Sequence, residues 1–356
     1  MRRRGIKGAE QLAAYALRGG DRGNPREADT VPDWQALAIA RKELTILLAV
    51  SFVMTKYGLM REHWARHSRL VDDGVLGTDR PIGRHVDLGG CLALVDWDAK
   101  EIAEVLPLPG PAGFVQHNGQ LFVALWRKNA ILVLDRELRP VREFSHQYLN
   151  DPHTLRAAHD GLLVANTGLD GLLLLAPQGD LLWSWLAVDH GFTHDRLGNR
   201  RWIDLDADHR DRDYPTLLQT THLNSALEDP NDRGLIYASL FHQGAIVRID
   251  RRTGATMVVG AGLDHCHSIR STDEGFVVCD TRGCRLVHYD REFRLRDVVA
   301  VEGSWLADAW PTQLGSFLVL DGGWQRIVEV SEHGEPVAEM RFDPDWKGFQ
   351  LEPFHR

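Results

Sequence analysis

The sequence predicts an all-β protein, a six-bladed β-propeller preceded by a helical extension. Three observations carry this. A two-strand unit recurs six times, most copies lie about 40 residues apart, and a second kind of two-strand unit precedes most of them. The recurring unit reads LALVDWDAKEIAEVLPL, ILVLDRELRPVREF, LLLLAPQGDLLWSW, AIVRIDRRTGATMVV, RLVHYDREFRLRDVV and RIVEVSEHGEPVAEM. Its turn positions are Asp96, Asp135, Pro177, Asp250, Asp290 and Ser331, at spacings of 39, 42, 73, 40 and 41 residues. A period near 40 with four short strands per repeat is what a propeller blade requires. Apolar runs broken by Gly, Asp and Asn turns read as strands rather than helices.

The second unit supplies the inner pair of each blade. HTLRAAHDGLLVANTG, HLNSALEDPNDRGLIYASL, HSIRSTDEGFVVCDT and AWPTQLGSFLVLDGG are its clear copies, and GFVQHNGQLFVALW is the version in the second blade. The first blade lacks an obvious inner pair. Either residues 70–90 or the C-terminal FQLEPF can close the ring, and the pattern does not choose between them.

Residues 85–356 are therefore assigned to the propeller and residues 1–84 to an N-terminal extension. Leu44 to Thr55 is an uncharged run of apolar character, bracketed by Glu43 and Lys56. It is shorter than the roughly 20 residues that span a bilayer, and the long segment before it does not read as a signal peptide. A helix over about 34–68 is expected. It either packs on the domain or associates with a membrane, peripherally or as a single pass through residues 44–60. That leaves a cytoplasmic or membrane-associated location.

Between the third and fourth blades lies an insertion, Val188 to Thr216, with seven Asp, five Arg and three His. A loop of this length in a compact domain is often functional, and a lid over the channel mouth is expected. Its DLDADHRDRD segment lacks the Gly and Glu that an EF-hand loop needs, since His209 and Pro215 hold those places. The formal net charge of −9 argues against a nucleic-acid partner. Cys91, Cys266, Cys279 and Cys284 form no C-x-x-C pair and read as buried thiols, although Cys279 and Cys284 flank one tight turn.

The candidate chemistry is histidine chemistry. In a propeller the inner strands line a central channel, so matched positions converge. His153, His222 and His267 each open an inner strand, in the third, fourth and fifth blades. Residues two apart on a strand share a face, which adds Asn224 beside His222 and His265 beside His267. A convergent imidazole cluster suits nucleophilic attack, acid–base work or metal ligation. Trp126, Trp310 and Trp324 fall near inner-strand ends, where an aromatic ligand could stack.

HTLRAAHDGLLVANTGLDGLLLLAPQGDLLWSW, THLNSALEDPNDRGLIYASLFHQGAIVRIDRRTG and HCHSIRSTDEGFVVCDT resemble blades of the bacterial arylsulfotransferase propellers over roughly residues 110–340. The resemblance implies transfer of a sulfuryl group from a phenolic sulfate to a phenol, without a metal. It implies His267 as covalent carrier, His222 and Asn224 as the sulfate-binding pair, and His153 as a further channel histidine. One departure matters. Where the family has Arg before His-Gln, this chain has Phe241 before His242 and Gln243. Loss of that guanidinium removes a bidentate clamp. Arg270 or an Arg of the insertion is the expected substitute.

The expected function is group transfer on an aromatic small molecule. His267, His222 and His153 are the expected catalytic residues, and Asn224, His265, Arg270, His242 and Trp310 bind substrate. No cofactor is expected on this reading. Two rivals stand beside it. One is a metal enzyme with a single transition-metal ion on His153, His222, His265 and His267. The other is a propeller that binds a ligand or a protein without catalysis.

Overall fold

The computed structural model describes residues 46–78 and 80–356. They form six antiparallel four-stranded sheets arranged as the blades of a propeller. The first blade begins with β1 (Leu47–Met54). Helix α1 (Tyr57–Asp72) follows, then β2 (Cys91–Asp96) and β3 (Glu101–Pro107). The second blade holds β4 (Pro111–His117), β5 (Gln120–Leu125), β6 (Ala130–Leu134) and β7 (Pro140–Phe144). The third holds β8 (Pro152–Ala158), β9 (Gly161–Asn166), β10 (Gly171–Leu175) and β11 (Leu181–Leu186). The fourth holds β12 (Leu223–Glu228), β13 (Leu235–Leu240), β14 (Ala245–Asp250) and β15 (Thr256–Ala261). The fifth holds β16 (Cys266–Thr272), β17 (Gly275–Asp280), β18 (Arg285–Asp290) and β19 (Leu295–Ala300). The sixth holds β20 (Leu306–Pro311), β21 (Phe317–Asp321), β22 (Arg326–Val330) and β23 (Pro336–Arg341), and the chain returns to the first blade as β24 (Lys347–Pro353).

Burial explains the strand patterns. The middle strands β9 and β10 are buried at every position, because each face of a blade packs on a neighbouring blade. The outermost strands β3, β7 and β19 are largely exposed and keep charged residues, which protects the free edges. Phe52, Trp97, Leu320 and Leu351 share one inter-blade core between the first and sixth blades.

Closure corrects the expectation for the N-terminal segment. Most of the apolar run is not helical. Leu47–Met54 is a strand buried at seven of its eight positions, and it pairs with β2 on one side and β24 on the other. The C-terminal FQLEP segment, within β24, is thus the innermost strand of the first blade. The helix that does form, α1, starts only at Tyr57. Among the described residues no helix is long and apolar enough to cross a membrane. The part of the expected extension before Ile46 lies outside the described residues. All four cysteines are free thiols, and Cys279 and Cys284 do not bridge their turn.

The insertion is fastened to the blades. Arg201 pairs with the fully buried Asp170, and the Asn150 side-chain amide donates to the carbonyls of His209 and Arg212 at 2.6 and 2.8 Å. His209 is itself fully buried, bonded to the Tyr214 hydroxyl at 2.6 Å. The DLDADHRDRD segment thus turns its histidine inward.

Candidate functional site

Six inner strands, β4, β8, β12, β16, β20 and β24, surround the channel. At one end the channel widens into a cavity of about 410 Å³. His153, His222 and His267 all line it, with Phe241, Trp305, Trp126 and Phe349. α1 contributes Tyr57, Met60 and Trp64, and the insertion contributes Asp213 to Thr216. The cavity is therefore roofed partly by the insertion and partly by α1 and the loop at Arg80 to Arg84.

The strand register differs from the simple alignment of the three histidines. The first ladder pairs of the inner strands are Pro152 with Asn166, Leu223 with Leu240, Cys266 with Asp280, and Leu306 with Asp321. His153, Asn224, His267 and Ala307 each follow that first residue, so these four are equivalent. His222 precedes its strand and is equivalent to Asp151, His265 and Trp305. His222 and His265 have φ of 48° and 61°, in the left-handed region, and this turn together with bulges at Leu223/Ser225 and His267/Ile269 breaks the two-residue alternation. His222 reaches the cavity from the strand entrance instead. Close approach of the strands also matters: a Cβ at Gly113 would lie 2.5 Å from the His153 carbonyl oxygen.

The rings are packed together. His153 and His222 have ring centroids 5.1 Å apart, and Phe241 lies edge-on to His222 at 4.8 Å and to His267 at 5.1 Å. Trp305 sits 5.7 Å from His267. Their hydrogen bonds fix the tautomers. His267 Nδ1 faces two acceptors, the Thr281 hydroxyl oxygen at 2.9 Å and the His265 carbonyl at 3.2 Å. The Thr281 hydroxyl spends its own proton on the Leu306 carbonyl at 2.8 Å, so Nδ1 of His267 carries the hydrogen and Nε2 keeps a lone pair. His153 Nδ1 likewise faces the Asp151 carbonyl at 3.1 Å, and His222 Nδ1 faces Gln219 Oε1 at 2.5 Å. Burial pushes the His267 pKa down to about 3, with the neighbouring His153 adding to the effect. Burial also holds His222 well below the ordinary imidazole value, with His153 and His242 adding to the effect. His222 and His267 are thus neutral bases at pH 7.

Several residues expected in the site stand elsewhere. Asn224 is fully buried between strands, where its Oδ1 accepts from the Ser239 hydroxyl at 2.7 Å, and it does not line the cavity. His265 turns its Nδ1 to Asp264 and packs its ring 4.4 Å from Phe241, behind the wall. His242 lies behind His222, bonded to the Thr216 carbonyl at 3.0 Å. Trp310 is stacked under the Arg270 guanidinium at 4.6 Å, and Trp324 covers Arg326 at 4.5 Å. Of the three tryptophans singled out, Trp126 alone lines the cavity. Because His265 is outside, the four-histidine cage is not assembled. Among the described residues no group of three or more His, Cys, Asp or Glu side chains is placed to hold a metal.

Arg270 is engaged deeper in the channel. It forms a two-pronged pair with Asp308, donates to Glu352 Oε1 at 2.8 Å and to the Leu351 carbonyl at 2.9 Å. Arg156 shares the same Glu352 oxygen at 2.5 Å. Burial opposes charge on Asp308, but Arg270 overrides it and keeps the carboxyl below its usual range. Two cations and two carboxylates thus plug the channel, which removes Arg270 as a substitute for the missing guanidinium. Asp308 also accepts from the Leu351 amide at 3.0 Å, so it ties the sixth blade to the closing strand. Asp308→Ala leaves a buried Arg270 short of its partner. It is expected to cost about 3–5 kcal/mol, read from the urea midpoint, because breaking one side of a buried pair strands the other charge.

No protein-family model matches the chain, and the comparison with curated proteins gives no match. Solved structures do resemble it. A protein of unknown function from Bacteroides caccae aligns with a TM-score of 0.56 at 16% identity, over 75% of this chain and 95% of that one. A chain of a nidogen/laminin complex aligns with a TM-score of 0.56 at 8% identity, over 86% of this chain and 97% of that one. Virginiamycin B lyase from Staphylococcus aureus aligns with a TM-score of 0.48 at 11% identity, over 67% of this chain and 72% of that one. At such identities the first two show the fold alone. What the chain shares with the first two is the propeller.

Proposed function

We propose that the cavity is the active site of a group-transfer enzyme, in which His267 carries a sulfuryl group from a phenolic sulfate to a phenol. The observation that carries the reading is the state of His267: a neutral imidazole whose Nδ1 is bonded to two acceptors, in a wall of aromatic rings. In the first step the Nε2 lone pair attacks sulfur. The N–S bond forms as the S–O bond to the ring breaks, and the phenolate leaves with that electron pair. In the second step an acceptor phenol oxygen attacks the same sulfur, the S–N bond breaks and its electrons return to Nε2. The acceptor's proton passes to a neighbouring imidazole, for which His153 or His222 Nε2 is available. Phe241, Trp305 and Trp126 give either aromatic partner a stacking surface. The balance closes without a metal or a redox partner.

The test is transfer itself. The purified full chain is given 4-nitrophenyl sulfate, with and without phenol, in the presence of a strong chelator. Expected is phenol-dependent release of 4-nitrophenol with stoichiometric phenyl sulfate, unchanged by the chelator. No transfer from a panel of aryl sulfates, or loss of transfer on chelation, would overturn the reading.

A further inference from the structure

The cavity differs in charge from the protein around it. The chain carries a formal −9, yet four cations line the cavity, Arg80, Arg84, Arg127 and Lys347, against two carboxylates, Asp151 and Asp213. Two of the cations are already occupied. Arg84 pairs with Asp213 at 3.0 Å, and Arg127 Nη2 donates to the carbonyls of Gly83 and Val86 at 2.7 and 3.0 Å. Arg80 is exposed at the rim.

Lys347 is different. It opens β24, the closing strand, and its Nζ lies 5.2 Å from the Trp305 ring and 5.1 Å from the Tyr57 ring. Trp305 is the ring packed beside His267. The ammonium donates one hydrogen bond, to the Gly322 carbonyl at 3.0 Å, and forms no ion pair among the described residues. An ammonium has three donors, so two remain. An amine held among aromatic rings with no carboxylate in contact is costly to keep protonated, and burial lowers the Lys347 pKa to about 8, although the charge of Asp321 beyond contact distance opposes the shift. An anion placed in the cavity would supply the contacting partner that Asp321 does not.

We propose that Lys347 is the anion-binding residue of this cavity, and that it holds the charged oxygen of an aromatic ester in place of the guanidinium that Phe241 replaces. The inference rests on the cavity being the site of the proposed reaction. It also limits the ligand class. Lysine offers a compact point charge rather than a planar fork. It therefore suits one charged oxygen of a singly charged group, while Trp305 and Phe241 receive the ring. Arg80, at the rim, adds attraction for an incoming anion.

The experiment is calorimetric titration of the full chain in a His267→Ala background, where no turnover intervenes. The probes are 4-nitrophenyl sulfate and the uncharged nitrobenzene. Lys347→Gln is expected to weaken the sulfate ester by about tenfold to a hundredfold, the worth of a hydrogen bond to a charged group. Nitrobenzene should bind as before, which also shows that the variant is folded. Lys347→Arg should restore most of the ester affinity. If Lys347→Gln binds the ester as well as its parent does, the role of Lys347 is overturned and the proposed cavity stands. If the parent binds neither probe, the reading of the cavity fails and this inference fails with it.

Discussion

His267→Ala is expected to lower sulfuryl transfer by at least about a thousandfold, because removing a covalent nucleophile costs far more than removing a binding contact. The fold should persist. The partners of His267 Nδ1 are the Thr281 hydroxyl and a backbone carbonyl, and Thr281 keeps its own bond to the Leu306 carbonyl when the imidazole is gone. The ring also lines open space, so its loss enlarges a cavity without opening one in the core. His222→Ala and His153→Ala should be milder, about a hundredfold, in the range of a lost transition-state donor. Asn224→Ala belongs to a different class. Its Oδ1 serves Ser239 between strands, so the change should appear as lost stability more than lost rate. Initial rates of 4-nitrophenol release, alongside thermal melts of each variant, separate these outcomes. Full activity in His267→Ala would place the carrier elsewhere. Restoration of slow transfer by added imidazole would mark the missing group as the nucleophile.

The sequence makes the blades legible because each blade writes its own local signals. The turn residues Asp135, Asp250 and Asp290 each close a hairpin through short-range bonds, for example Asp250 Oδ1 with the amides of Arg252 and Thr253. Such contacts lie within a few residues, and pattern reading finds them. β1 is illegible for the opposite reason. It is buried on both faces, so it loses the apolar–polar alternation that marks a strand, and a short continuous apolar run reads equally as buried helix. Its partner β24 lies about 300 residues away, as the Ser51 to Gln350 pairing shows. The channel plug hides in the same way: Arg270 meets Glu352 only because the ring closes through the C-terminal strand. The histidine cluster was legible as a convergence but not in register. The left-handed turn at His222 and the bulges that follow obey no two-residue period, and these decide that Asn224 and His265 leave the wall while His222 joins it.

A chain that begins near residue 80 is expected not to fold. The reason is that β1 is the second strand of the first blade, with β2 and β24 on its two sides. Its removal strips ladder partners from both neighbours at once and leaves two unpaired edges inside the blade. It also removes Leu48, Val50 and Phe52, all fully buried, from the core shared with Trp97, Leu320 and Leu351. Phe52 alone packs edge-on against Phe342 at 4.8 Å and Trp346 at 4.9 Å, just before β24. Truncating one such aromatic costs about 3–5 kcal/mol, against a typical total stability of about 5–15 kcal/mol, so losing the strand exceeds what a propeller can spare. Circular dichroism and a urea transition read the result. A cooperative transition in the chain lacking residues 1–79 would show that the first blade closes without β1. The same cut should abolish ligand binding, since β24 brings Lys347, Phe349 and Glu352 to the channel and its ladder neighbour in the blade is β1.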